Sequence, residues 1–194
     1  LAYFTNVYKI KGKKFINIVI IMASMSAPFI GAYSWILLLG RNGLITNFFH
    51  DYLNISIPDI YGFNGILLVF TLQLFPLVYL YTQGALSNVD NTLFEASESM
   101  GVTGVKRFFK IVLPLIRPTV FASGLLVFMN AFADFGTPML IGEGYRTFSR
   151  LIFDAFVGEV GTDAGFAAAI SVIALLVTTA VFLVQRDLSN RKQY

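Results

Sequence analysis

Residues 165–184 read GFAAAISVIALLVTTAVFLV, an unbroken run without a charged side chain. A bilayer core of ~30 Å is crossed by about 20 apolar residues in helical form, so this stretch is long enough to span it. Working outward, three more runs meet or approach the same length. Thr119–Phe135 is apolar up to Asp134, Phe63–Tyr81 is uncharged and carries Pro76, and Phe15–Leu39 is uncharged and carries Pro28. Backbone groups in lipid must pair within the chain, which favours helices. The expectation is an all-α, polytopic transmembrane helix bundle with four spans, approximately 15–39, 63–81, 119–135 and 165–184. Composition agrees. Charged residues make up 13% of the chain, about half the ~25% of a soluble domain. Hydrophobic residues make up 56%, and the mean hydropathy is +0.71. Pro28 and Pro76 are each expected to kink a helix, since each removes a backbone donor.

The basic residues are distributed unevenly. With four spans, segments 1–14, 82–118 and 185–194 share one side and carry eleven of the 14 Lys and Arg residues. Loops 40–62 and 136–164 carry only Arg41, Arg146 and Arg150. Cytoplasmic loops are the basic ones, so 82–118 is read as cytoplasmic. This asymmetry accounts for the net charge of +3 without a nucleic-acid partner. There is no Cys and a single His, His50, so neither a thiolate site nor a histidine metal cluster is available. His50 beside Asp51 reads as a solvated pair. No cofactor is implied. The chain opens on Leu1-Ala2-Tyr3-Phe4, which reads as the tail of a helix already under way; residues 1–194 are taken as one membrane domain, a fragment lacking upstream spans.

The second and third spans are joined by residues 86–118, LSNVDNTLFEASESMGVTGVKRFFKIVLPLIRP. Thr92 and Glu95 fit a capping box. Leu93, Ala96, Ser97 and Met100 then share a helical face, and Gly101 suits a left-handed helix end. Thr103 is placed to cap a second helix with Val105, Phe108, Phe109 and Val112 in a stripe and Lys106, Arg107 and Lys110 opposite. Pro114 and Pro118 are expected to break the pattern before the third span. The predicted shape is an amphipathic helix–turn–helix on the cytoplasmic face.

Glu95-Ala96-Ser97, three residues, Gly101, nine residues, Ile111, one residue, then Leu113-Pro114 resembles the EAA loop of binding-protein-dependent ABC importer permeases. Ser97 stands where the family usually has alanine; both are small. Six positions match at odds on the order of one in a million per window. The rival for this segment, an amphipathic helix lying on anionic lipid, does not explain the spacing. The resemblance implies the type I ABC importer permease fold in the bacterial inner membrane. It makes Glu95, Ala96, Ser97, Gly101, Ile111, Leu113 and Pro114 the coupling loop that docks on a separate ATP-binding cassette ATPase. It further implies a periplasmic or lipid-anchored solute-binding protein and a second permease half, fused, identical or different. The chain has no GxxxxGK[ST] motif of its own, so hydrolysis is expected from the partner.

Gly40-Arg41-Asn42-Gly43-Leu44-Ile45 and Asp134-Phe135-Gly136-Thr137-Pro138 with Gly142 resemble the ferric-iron branch, as Ile10–Phe15 resembles the basic turn between early spans. Ferric iron is therefore the expected solute, with polyamine, thiamine and phosphonate permeases as alternatives, and an ion-driven secondary transporter as the alternative of another class. Asn130 and Asp134, near the outer end of the third span, are candidates for the translocation path, because an intramembrane acid can attract a cation. The reading favoured for Asp134 is an interfacial residue that simply ends the third helix, with Gly136 and Pro138 following. Gln73 and Gln83 are expected to bond neighbouring helices. The outer loops also hold an excess of acids, among them Asp51, Asp59, Glu143, Asp154, Glu159 and Asp163, either a solvated face or an attraction for a basic partner or cation.

Overall fold

The computed structural model describes residues 1–7, 11–25, 27–55, 58–157 and 163–190. Lys9, Ile10, Glu159, Arg191 and Lys192 lie outside the described residues. Among those described, every regular element is helical, as a chain that must satisfy its own backbone in lipid requires. In order they are α1 (Ala2–Val7), α2 (Lys13–Ser24), α3 (Pro28–Leu39), α4 (Leu44–Leu53), α5 (Phe63–Ser87) and α6 (Asn91–Ser99). There follow α7 (Gly104–Arg107), a π-helical turn (Phe108–Val112), α8 (Leu113–Ala133), α9 (Gly136–Ile141), α10 (Phe148–Val157) and α11 (Ala164–Asn190).

Among the described residues three helical runs are long and apolar enough to cross a membrane: Phe63–Ser87, Gly104–Ala133 and Ala164–Leu188. The bent pair formed by α2 with α3 and α4 makes a fourth if it counts as one span. Here the sequence expectation needs correction. Phe15–Leu39 is not one kinked helix; it breaks, and Pro28 opens a new one. Ala27 before it is extended, at φ −69° and ψ 143°. Proline pushes its predecessor out of the helical region and, having no N–H, sits well in the first turn, where that donor is unused. Pro76 stays inside α5. Pro118 does not break the chain either: it lies inside α8, and the third run begins at Gly104 rather than near Thr119.

Buried side chains gather in two clusters, one at each end. The first joins Ala2, Ile20, Tyr79, Leu86, Val112 and Ile116. Polar contacts at that end bind α1 to α5: Thr5 Oγ1 and Tyr79 Oη are 3.2 Å apart, and Asn6 Nδ2 donates to Gln83 O at 3.2 Å. Tyr79 Oη also donates to Asn17 Oδ1 at 2.7 Å. The Tyr3 and Phe108 rings meet edge to face at 4.9 Å. The second cluster joins Ala32, Ile60, Ile66, Val69 and Ile141. There Gly62 N donates to Ile141 O at 2.8 Å, and Phe29 packs edge-on against Phe135 at 5.2 Å. Residues 1–7 and 79–116 thus meet at one end, and 60–69 and 135–141 at the other, in keeping with the grouping that the basic residues define.

At the second end Arg41 bridges two loops, through Nε to Asp59 at 3.0 Å and Nη2 to Glu143 at 2.6 Å, beneath the Tyr61 ring. The hydrogen bond with Asp59, then the charge of Glu143, raise the guanidinium pKa above its ordinary value. All three side chains are about half exposed or more, where water and salt screen such pairs. Arg41→Ala is therefore expected to move the unfolding midpoint of the detergent-solubilised protein by no more than about 2 °C in differential scanning fluorimetry.

Candidate functional site

The segment between α5 and α8 lies at the basic end of the bundle and packs on the first core cluster through Phe94, Phe108 and Val112. Helix α6 starts earlier than the capping-box reading placed it. Asp90 is the N-cap, and its Oδ1 accepts from Thr92 N at 3.0 Å. Thr92 and Glu95 are the second and fifth helical residues, so Glu95 lies past the free N–H groups that a capping box serves. Asp90→Ala is expected to cost about 1 kcal/mol of local helix stability. Hydrogen exchange at the first amides of α6 should then rise roughly fivefold.

The far end of α6 is closed by two main-chain bonds. Val102 N donates to Ser97 O at 2.8 Å and Gly101 N to Glu98 O at 2.9 Å, with Gly101 at φ +70°. This is the Schellman arrangement, and its left-handed residue is the glycine that the sequence singled out. A second left-handed glycine, Gly104 at φ +58°, is the first residue of α7. The sequence reading missed it, although the spacing Gly101-Val102-Thr103-Gly104 was there to see. Thr103 does occupy the N-cap position of α7, but its hydroxyl makes no cap bond. The turn from 101 to 104 is held by backbone geometry.

The inward and outward faces differ from the predicted stripes. Ser97 is 1% exposed, and its Oγ donates to Phe94 O at 2.7 Å. The small residue of the motif is the one pressed against the bundle, together with half-buried Phe94. Leu93, Glu95, Ala96 and Met100 face outward, so the apolar face expected to group Ser97 with Leu93 and Met100 is split. The second stripe is split too. Phe108 and Val112 turn inward to the first core cluster, while Val105 and Phe109 are 73% and 61% exposed. The cause is the π-helical turn at 108–112, where Leu113 N donates to Phe108 O five residues back. Proline at 114 can neither donate to the carbonyl four residues before it nor tolerate it close by. A widened turn moves that carbonyl aside, and the helix continues into α8 instead of stopping. Ile111 and Leu113 are half-buried and Pro114 is exposed.

Arg107 also departs from its predicted place beside Lys106 and Lys110. Its side chain is only 12% exposed, with the guanidinium 5.4 Å from the centre of the Phe94 ring and Nη1 3.9 Å from Glu98 Oε2. It pins α7 onto α6. Leu93, Met100, Val105 and Phe109 remain as an exposed apolar patch around the turn, with Glu95 beside them.

At the opposite end of α8, Asp134 Oδ1 accepts from Gly136 N at 2.8 Å and Thr137 N at 3.2 Å, and Oδ2 accepts from Thr137 Oγ1 at 2.8 Å. Its carbonyl accepts from Ser149 Oγ at 2.9 Å. The carboxylate thus starts α9, and Gly136 fits there because a Cβ would press on the Phe29 ring. Asn130, one turn earlier, is exposed and donates to Leu126 O at 2.8 Å. Gln73 leaves Oε1 buried with no donor among the described residues, in place of the expected helix–helix bond. His50 meets Asp51 at 3.2 Å with both side chains about 70% exposed. Among the described residues no group of three His, Cys, Asp or Glu could hold a metal.

The family model described as binding-protein-dependent transport system inner membrane component matches residues 1–194. Among curated relatives, a ferric transport system permease protein of Actinobacillus pleuropneumoniae is 29% identical over 175 residues, 90% of this chain and 25% of that protein. A molybdenum transport system permease protein of Haemophilus influenzae is 26% identical, covering 94% of this chain and 80% of that protein. An sn-glycerol-3-phosphate transport system permease protein of Shigella dysenteriae is 31% identical, over 96% of this chain and 66% of its own. The chain thus spans about a quarter of the length of the ferric relatives. Among solved structures, a bacterial alginate ABC transporter in complex with its alginate-bound periplasmic protein aligns with 98% of this chain and 69% of its own. The TM-score is 0.82 at 17% identity. The inward-facing MetNI methionine ABC transporter aligns with all of this chain and 83% of its own at TM-score 0.74 and 15% identity.

Proposed function

Because the chain belongs to the family of binding-protein-dependent transport system inner membrane components, we propose that it forms part of the solute path of an ABC importer and that residues 86–118 couple that path to a separate ATPase. One observation carries this reading. The helix that begins at the exposed turn runs without interruption from Gly104 to Ala133, across the width of a bilayer. A push on Leu93, Met100, Val105 and Phe109 is delivered directly to a span. Val112 and Ile116, buried beside Tyr79 and Leu86, pass it sideways to α5, and Ala2 and Ile20 to α1 and α2. Close packing leaves no slack for the motion to be absorbed. Glu95, at the edge of the apolar patch, fixes the register of docking by charge.

A second permease half completes the path, and a periplasmic binding protein delivers solute to the end that holds Arg41, Asp59, Ile141 and Glu143. The mouth of the path lies at the outer end of α8, near Asn130 and Asp134. There Asp134, its carboxylate occupied by Gly136 and Thr137, shapes the opening more than it binds. For the solute we favour ferric iron, supported by the ferric permeases among the relatives and by the Gly40–Ile45 and Asp134–Pro138 segments. Molybdenum and glycerol-phosphate permeases match at similar identity. Uptake of radiolabelled ferric iron, molybdate and glycerol 3-phosphate by cells carrying the full-length permease decides among them. Iron accumulation that disappears with Glu95→Ala and Gly101→Ala together is the expected result. Accumulation of another solute instead overturns the iron assignment, and uptake indifferent to the double substitution overturns the coupling role.

A further inference from the structure

Beneath the turn a cleft of about 480 Å³ opens between α1, the end of α5, α6 and α7. Asn6, Ser87, Glu98 and Arg107 give it a polar lining, with Leu86 and Phe94 behind. The exposed residues Leu93, Met100, Val105 and Phe109 do not line it. Arg107 is the informative member. A guanidinium offers five donors. Here it has a ring below it and one carboxylate at 3.9 Å, beyond hydrogen-bond distance. Its Nε is buried and has no acceptor among the described residues. A buried cationic donor left unpaired is costly, so the site is short of an acceptor.

The surroundings say what kind. Lys13 Nζ donates to Asn6 Oδ1 at 3.2 Å, which brings a second cation to the rim. Lys106 and Lys110 stand exposed on the helical run that carries Arg107. Among the described residues that line the cleft, Glu98 is the one acid, and its side chain is 71% exposed. The local balance is positive, and an arginine fork suits a phosphate or carboxylate oxygen pair. We propose that this cleft binds a phosphate group, with Arg107 as its anchor, Lys13 at its rim and Glu98 displaced. The phosphate comes either from an anionic lipid headgroup of the cytoplasmic leaflet or from a free anion. Bound there, it ties α6 and α7 to α1 and the end of α5 and stiffens the coupling element.

The purified full-length permease in neutral detergent provides the first test. Inorganic phosphate, titrated at constant ionic strength, raises its unfolding midpoint. Arg107→Gln weakens the apparent affinity on the order of tenfold or more, Arg107→Lys less, and Glu98→Gln strengthens it. In a second arm, native mass spectrometry follows phosphatidylglycerol against phosphatidylcholine carried over from nanodiscs. Retention of phosphatidylglycerol by the wild type but not by Arg107→Gln, without a phosphate response, assigns the headgroup. A phosphate response without lipid retention assigns the free anion. Equal behaviour of wild type and Arg107→Gln in both arms overturns the proposal. If Arg107→Gln does not fold, Glu98→Gln decides, and unchanged affinity in both arms overturns it.

Discussion

Gly101→Val leaves the permease in the membrane and lowers ATP-driven uptake by about tenfold or more. The argument concerns backbone alone. Gly101 sits at φ +70°, and no atom lies within 4 Å of where a Cβ would stand, so the substitution meets no clash. It meets the left-handed penalty of roughly 1–2 kcal/mol, which for a β-branched residue is at its worst. To escape it the turn must unwind, and the bonds Val102 N to Ser97 O and Gly101 N to Glu98 O go with it. The outward patch then loses its fixed shape while the spans stay folded. Gly101→Asn is the informative companion, because asparagine tolerates this conformation. It should retain most of the uptake. Uptake measured beside membrane abundance checks both, and normal transport by the valine variant would falsify the coupling role of the turn.

Gly65→Ala does the opposite: it attacks the bundle and spares the turn. Gly65 is in the first turn of α5, where an added Cβ would overlap the carbonyl of Ile60 and sit 3.1 Å from Ile141 Cγ2. The obstacle is main chain, which cannot rotate away. Opening that contact pulls Ile60 and Ile141 out of the outer core and strains the bond from Gly62 N to Ile141 O. Losses of this kind fall on the order of 3–5 kcal/mol, a large part of a domain's stability. The variant is expected to accumulate poorly and to unfold about 6–20 °C lower, by the scaling for a chain this size. Gly84→Ala is the control. It has open space around it within this chain, and in a helix interior alanine is favoured over glycine by roughly 0.5–1 kcal/mol.

Much of the architecture was legible because lipid simplifies the code. Uncharged runs of span length reappear as the long helices α5, α8 and α11, and the basic residues sorted the loops into the two ends that pack together. Local chemistry at the functional segment was harder to read. Asp90 and Thr92 are both good cap residues two positions apart, and only the observed bond chooses between them. Pro114 and Pro118 looked like stops because helix rules assume an unvarying turn. The π-helical turn at 108–112 absorbs the first, and no periodicity argument anticipates it. The same widened turn shifts Val112 to the side of Phe108, while Val105 and Phe109 stay outward. Arg107 looked solvated because its residue type usually is; only the Phe94 ring and the cleft beside it explain why it folds inward.

The Gly101–Gly104 turn has one more implication. Its shape is set by two left-handed glycines and two main-chain bonds, so it asks nothing of the side chains mounted on it. Leu93, Met100, Val105 and Phe109 can drift while the turn keeps its form. The form of the turn is thereby separable from the chemistry of its surface, in the way a plug keeps its housing while its pins are rearranged.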